Sequence, residues 1–256
     1  MRYEILGPIR VVNGGTPASI STPKIETTLA VLLTHADHVV VSGTLMAEIW
    51  GERLPARAAA GIYVYVSQLR KFLRRRHPHV DPIVTVPPGY LLRMGSDEVD
   101  AHEFDQSIDR GRALMKQGRH EEASAFLETA LRLWRGPVFG GLRGGPCLEG
   151  FATRLSEARL ECLEMLADAQ LALGRHRELV SRLYAIIAEN PLREVFYRQL
   201  MLALHRSEVQ AEALHVYQLA RRTLHSELGL EPCRALRDLQ RAILADAVSF
   251  LSLPSY

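Results

Sequence analysis

"AAAGIYVYVSQLRKFLRRR", residues 58 to 76, begins with small and apolar residues, passes through an alternating IYVYV centre and carries five cations in its last eight positions. Read at the helical period, Ala59, Ile62, Val66, Leu69 and Leu73 fall within about one third of the circumference, the stripe of a helix docked on a core. A strand would leave the LRKFL tail and the length unexplained, so the spacing predicts a helix. Its opposite face then carries Arg57, Ala60, Gly61, Val64, Gln68, Lys71 and Arg75. Gly61 and Val64 lower helix propensity and add nothing to solubility. Small residues at the leading end do permit close approach to another surface. Gln offers a bidentate match to an adenine edge, and Lys or Arg holds phosphates, so this face suits a duplex major groove. The plain alternative is a solvated helix end whose cations favour the C-terminal turn.

The flanking sequence builds a small domain. Tyr3 and Ile5, then Ile9 and Val11, with Gly7-Pro8 between and Asn13-Gly14 after, predict a short strand pair. A helix is predicted from Thr22 as N-cap and Pro23 as first helical residue, with Ile25, Leu29, Leu32, Leu33 and Ala36 on one face. A second runs from Ser42 to Trp50, with Leu45, Met46, Ile49 and Trp50 inward, Trp50 as a core anchor, and Gly51 available for a left-handed cap. After the quoted helix, Ile83 to Val86 and Tyr90 to Arg93 flank Pro87-Pro88-Gly89, a hairpin by turn chemistry.

From residue 99 onward the periodicity is helical throughout. Gly118-Arg119-His120-Glu121-Glu122-Ala123, Gly174-Arg175-His176-Arg177-Glu178-Leu179 and Glu208-Val209-Gln210-Ala211-Glu212-Ala213 share one form: helix end, tight turn, restart on Glu and an apolar residue. The second step has the tetratricopeptide period. Tyr197, Leu200, Ala213, Tyr217 and Ala220 take the packing positions of one unit, and Leu166, Leu179, Leu183 and Ile186 those of the unit before, which Pro191 ends. The glycine-rich stretch from Trp134 to Pro146 lacks the spacing of a phosphate loop and reads as a connection. Stacked helical pairs leave a concave surface for partners.

Bulk numbers bound the remaining classes. The chain has 256 residues, 47% hydrophobic and 23% charged, with a net charge of +2. Residues 1 to 98 balance at +3 and the rest at −1, a small asymmetry. The local cluster Arg70, Lys71, Arg74, Arg75 and Arg76 weighs more, because phosphates feel charges within about one Debye length. The opening residues do not form a signal peptide and no apolar run reaches the roughly 18 residues of a membrane span, so the expectation is a cytoplasmic protein without a membrane partner. Cys147, Cys162 and Cys233 are scattered, indicate neither zinc nor disulfides, and are expected to be buried apolar residues. The close histidine pairs, His35 with His38 and His77 with His79, fall in predicted loops without carboxylate or cysteine ligands at metal spacing and are expected to be solvated. No nucleophile motif appears. The chain is read as a non-enzyme with no catalytic residues, metal or cofactor.

The order of LGPIRVV, LAVLLTHADHVVVSGTLMAEIWGE, YVSQLRKFL and VTVPPGYLL, followed by LWRGP at 133 to 137 and ELGLEP at 227 to 232, closely resembles the Streptomyces antibiotic regulatory protein family over nearly the whole chain. The resemblance implies a mainly α fold with small β: a winged helix-turn-helix of the response-regulator type over residues 1–96, then an all-α, tetratricopeptide-like bacterial transcriptional activation domain over 99–249. It implies a groove face of Ala60, Gly61, Val64, Ser67 and Gln68, with Arg57 beside it, phosphate or base contacts from Arg70, Lys71, Arg74 and Arg75, and Thr85 in the wing. Where many relatives carry a Gln-Arg pair this chain has Ile25-Glu26, and where they carry a basic wing residue it has Val86. The implied function is a promoter-binding activator of a biosynthetic gene cluster, bound as a homodimer on direct repeats of double-stranded DNA beside RNA polymerase. The alternatives are a repressor or architectural binder on the same fold, or a helical-repeat interaction scaffold.

Overall fold

The computed structural model describes residues 1–75 and 81–251, with side chains as far as Ala245; Arg76, His77 and His79 lie outside the described residues. Two compact units divide the chain, one of Met1–Asp109 with Glu128–Glu161, the other of Arg110–Leu127 with the residues from Cys162 onward.

In the first unit the expected strand pair, β1 (Arg2–Glu4) and β2 (Arg10–Asn13), is part of a larger sheet. β3 (Thr16–Ala18) joins beyond the Asn13-Gly14 turn, and a two-residue β7 (Glu98–Val99) pairs parallel to β1, giving the order β3-β2-β1-β7. The helices are α1 (Pro23–Thr34), α2 (Ser42–Trp50) and α3 (Ala58–Arg74), packed pairwise against one another. A second sheet has the order β4-β6-β5, from Val39–Val41, Gly89–Leu92 and Ile83–Val86. Its hairpin is the expected one, with the second strand one residue earlier. This is a winged helix-turn-helix.

Several local expectations need correction. Thr22 stands at the N-cap of α1, but its hydroxyl caps nothing; its carbonyl accepts from the Ile25 and Glu26 N–H groups instead. Ala36 lies beyond the helix and is half-buried, while Ile25, Leu29, Leu32 and Leu33 are buried as expected. Of the α2 face only Leu45 is fully buried; Met46, Ile49 and Trp50 are half-buried, and the buried partner is a charged residue, Glu48. Gly51 has a positive φ, yet its ψ of −137° takes it out of the left-handed helical region. On α3 the buried stripe is Ala58, Ile62, Val66, Leu69 and Leu73, so Ala58 stands where Ala59 was expected. Only Cys162 is a buried thiol: Cys147 is half-buried and Cys233 exposed. His38 is exposed, but His35 is half-buried at the end of α1. Its Nδ1 lies 2.9 Å from the Thr34 hydroxyl and 3.1 Å from the Val31 carbonyl, and Cys147 Sγ is 3.9 Å away. No group of potential ligands able to hold a metal ion occurs among the described residues.

The helices that follow are α4 (Asp100–Lys116), α5 (His120–Arg132) and α6 (Pro146–Ala172), so the region read as wholly helical is preceded by β7 and interrupted by a 3-10 turn at Val138–Gly141. Two buried carboxylates organise the first unit. Asp100, at the start of α4 and 2% exposed, accepts from the Ile5 and Leu6 N–H groups at 2.8 and 3.1 Å. Burial pushes its carboxyl up from the ordinary range, against those two donors and the Arg135 guanidinium, which pull it down. Glu48, 6% exposed, accepts from three backbone N–H groups at the head of α6: Gly145 at 3.0 Å, Cys147 at 2.9 Å and Leu148 at 3.1 Å. A helix start leaves such donors without intrahelical partners, and an anion there is favoured by the dipole. The glycine-rich connection is tied to the segment after β1, with the Arg135 and Phe139 N–H groups donating to the Leu6 and Ile5 carbonyls.

In the second unit α7 (His176–Glu189) packs on α8 (Glu194–Arg206), α8 on α9 (Gln210–Leu228), and α10 (Arg234–Leu251) against both α8 and α9. The repeat-position residues Leu166, Leu179, Leu183, Ile186, Tyr197, Leu200, Ala213, Tyr217 and Ala220 are all buried. Tyr197 donates its hydroxyl to the carbonyl of Pro191, which follows the end of α7. The three restart turns share one geometry. Gly118, Gly174 and Glu208 have φ of 70°, 75° and 65°, and the next N–H reaches back to Leu114, Gln170 and Leu204 respectively. This is the Schellman closure, which favours glycine. Glu208 takes the left-handed conformation at a cost glycine avoids, partly offset by the freedom glycine adds to the unfolded chain, so Glu208→Gly is expected to gain about 0.5 kcal/mol. A urea midpoint that is unchanged or lowered would contradict this.

Candidate nucleic-acid interface

With its stripe buried, α3 turns a continuous face outward. Arg57, Ala60, Ser67, Gln68, Lys71, Arg74 and Arg75 are exposed, and Val64 is 46% exposed. Gly61 differs: it is half-buried, and a Cβ there would come within 3.0 Å of Trp50 Cη2. Trp50 also meets Tyr65 at 5.9 Å between ring centroids and carries the Lys24 ammonium 5.2 Å from its own. Its ring thus braces α3 and presents a cation at the head of α1.

The wing is pinned to the helix by Arg70. Its Nε and Nη2 donate to the Ile83 carbonyl at 3.0 and 2.8 Å, and Nη2 also donates to the Thr85 hydroxyl at 2.9 Å. Arg70 is half-buried and its guanidinium lies 6.0 Å from the Tyr90 ring centroid. Arg70 and Thr85 are therefore brought together, Arg70 as a strut between α3 and β5. Asp81 sits beside them, 3.7 Å from Arg70 Nε and in an ion pair with Arg74. Lys71 and Arg75 project from the trailing end. At the other end of the wing, the Ser42 N–H and hydroxyl both donate to the Pro88 carbonyl, which fixes the hairpin turn on the start of α2.

Three features of this surface were not read from the sequence. Tyr63 is 68% exposed on α3, Asp81 neutralises part of the cation cluster, and β4 supplies the third strand that anchors the wing. Tyr63 had a detectable signal, since it lies off the apolar stripe. Asp81 lies seven residues beyond Arg74 and outside α3, so no pairing within the helix points to it.

A cationic helix with a hairpin wing at its side defines a winged-helix regulator. Residues 18–92 match the family model "Transcriptional regulatory protein, C terminal", and residues 99–244 match "Bacterial transcriptional activator domain". The chain is 34% identical over 250 residues to the regulatory protein DnrI of Streptomyces peucetius, covering 95% of this chain and 92% of that protein. It is 36% identical to the transcriptional regulatory protein EmbR of Mycobacterium tuberculosis, covering 94% of this chain and 63% of EmbR, so it spans less than two thirds of that relative. A solved structure of EmbR in complex with a low affinity phosphopeptide superposes with a TM-score of 0.89 at 35% identity, over 96% of this chain and 65% of that one. The chain belongs to the family of transcriptional regulators that join a winged helix to a bacterial transcriptional activator domain, the Streptomyces antibiotic regulatory protein type. Among the described residues no helix is long and apolar enough to cross a membrane.

Proposed function

We propose that the chain is a sequence-specific activator of transcription. Residues 1–96 bind promoter DNA, and residues 99–249 supply the protein contacts. The observation that carries this reading is the outer face of α3, small at its leading end and cationic at its trailing end, with the wing pinned alongside by Arg70. Ala60, Val64, Ser67 and Gln68 face the base edges, while Gly61 packs against Trp50 and keeps α3 close to α2. Arg57, Lys71, Arg74 and Arg75 hold phosphates, and Thr85 brings the wing to the backbone. Arg70 acts by holding the wing in register. The Streptomyces antibiotic regulatory protein family supports a biosynthetic gene cluster as target and a homodimer on direct repeats that recruits RNA polymerase. Recruitment needs little energy, since about 1.4 kcal/mol of contact changes occupancy tenfold.

A gel shift of the full chain over a salt series tests the reading. Each phosphate contact contributes about −0.9 to the log-log slope, so Lys71→Ala and Arg75→Ala should each flatten it by about that amount. Asp81→Asn in the same series should tighten binding, because Arg74 no longer has to leave its ion pair to reach a phosphate. Absence of binding to duplex DNA even at low salt would overturn the assignment. In vitro transcription from a bound promoter separates activation from repression.

A further inference from the structure

The first twelve residues of α3, Ala58 to Leu69, contain no charged side chain, although half of them are exposed. The exposed faces of α5 and α10 carry charge, with Glu121 and Glu122 on the first and Arg234, Arg237, Asp238 and Arg241 on the second. On α3 the exposed positions are instead Ala59, Ala60, Tyr63, Val64, Ser67 and Gln68. Tyr63, at 68%, is the most exposed large apolar side chain among the described residues, and Val64 beside it is 46% exposed. A helix turned only to water gains nothing from such a pair.

The placement is specific. Residues three and four apart are neighbours along a helix, so Ala59 precedes Tyr63 by one turn and Ala60 precedes Val64. Two methyl-sized side chains in front leave Tyr63 and Val64 standing proud, the first atoms that an approaching surface meets. One turn further on, Gln68 follows Val64 on the same row, and the cations Lys71 and Arg75 come next. The sequence of chemistry along this row is apolar, amide, cation. In a major groove the one apolar feature of the base edges is the thymine C5-methyl, while the adenine edge pairs with an amide and the phosphates with cations.

We propose that Tyr63 and Val64 are specificity-determining residues that read thymine C5-methyl groups, an inference that rests on the duplex-binding function proposed above. The Tyr63 ring supplies the broad apolar contact and Val64 the narrow one, with Gln68 on an adjacent adenine. Sites chosen by this protein are then expected to carry thymines whose methyl groups, rather than their hydrogen-bonding edges, account for part of the preference.

The test begins by selecting preferred sites from a random duplex pool with the full chain, then replacing each thymine of the selected site by deoxyuridine, which deletes only the methyl. For the unaltered protein, loss of a buried methyl should weaken binding about fourfold at one or more positions. Tyr63→Ser and Val64→Ala should each remove the discrimination at their own position, leaving the thermal midpoint unchanged. Tyr63→Phe, which keeps the ring, should retain it. Selective binding with no uracil penalty at any thymine would overturn the methyl-reading assignment and leave the DNA-binding function standing. Tyr63→Ser and Val64→Ala proteins that keep the full penalty would overturn that assignment in the same way. Failure to enrich any site, with no affinity for random duplex, would overturn both.

Discussion

Replacing Glu48 by alanine is expected to lower stability by about 3 kcal/mol, because removal of a cap costs up to about 2 and a buried donor left unpaired adds about 1–3. The carboxylate is nearly sealed from water and is the acceptor for three N–H groups at the head of α6. Gly145 and Cys147 are half-buried and can recover some hydration, whereas Leu148 is buried, so its N–H bears most of the loss. Glu48→Gln should fall between, since the amide keeps one acceptor oxygen but turns an NH2 toward other donors. Urea unfolding gives the answer as a displaced midpoint at constant slope. Glu52→Ala, at an exposed position, serves as the control and should leave the midpoint in place. Equal midpoints for all three proteins would show that the buried carboxylate contributes nothing.

Gly89→Ala should be at least as severe, though for a steric reason. A Cβ at Gly89 would lie 1.9 Å from the Val40 carbonyl oxygen and 2.7 Å from Val41 Cα. Those are backbone atoms and cannot swing aside, so β4 and β6 must separate where Val41 pairs with Gly89 and Val40 with Tyr90. A loss of about 4 kcal/mol or more is expected, in the range reserved for core and backbone disruption. The β5–β6 pairing is untouched by the clash, so the hairpin itself persists while its anchor to the domain fails. Duplex binding should drop with it, because the wing no longer stands beside α3. A variant with an unaltered melting temperature would show that the strand pair has slack absent from this structure.

The parts of the fold that periodicity governs were legible. The stripe Ile62, Val66, Leu69 and Leu73 fixed the orientation of α3, and the three restart turns placed the paired helices of the second unit. The misassigned Ala59 marks the limit of that signal, since one methyl says little about which of two adjacent alanines faces inward. Strands of two or three residues such as β4 and β7 carry too few residues for alternation to register, and only their partners make them strands. Glu48 illustrates the deeper difficulty. A glutamate in an amphipathic helix reads as solvent-facing, and its three donors lie about a hundred residues away in the chain. The candidate interface divides the same way: exposure of Gln68 and Lys71 follows from the helical wheel, whereas the tie between Arg70 and the wing and the pairing of Arg74 with Asp81 arise from the hairpin's return path.

The pairing of β1 with β7 sets Tyr3 beside Val99. During translation the first strand can join β2 as soon as that hairpin leaves the ribosome, but one of its edges stays vacant until the entire winged helix has been made. Closing so long a loop adds little entropy beyond closing one of half the length. The late edge therefore acts as a seal: the sheet is finished only when α1, α2 and α3, which lie between its first and last strands in the chain, have all been made.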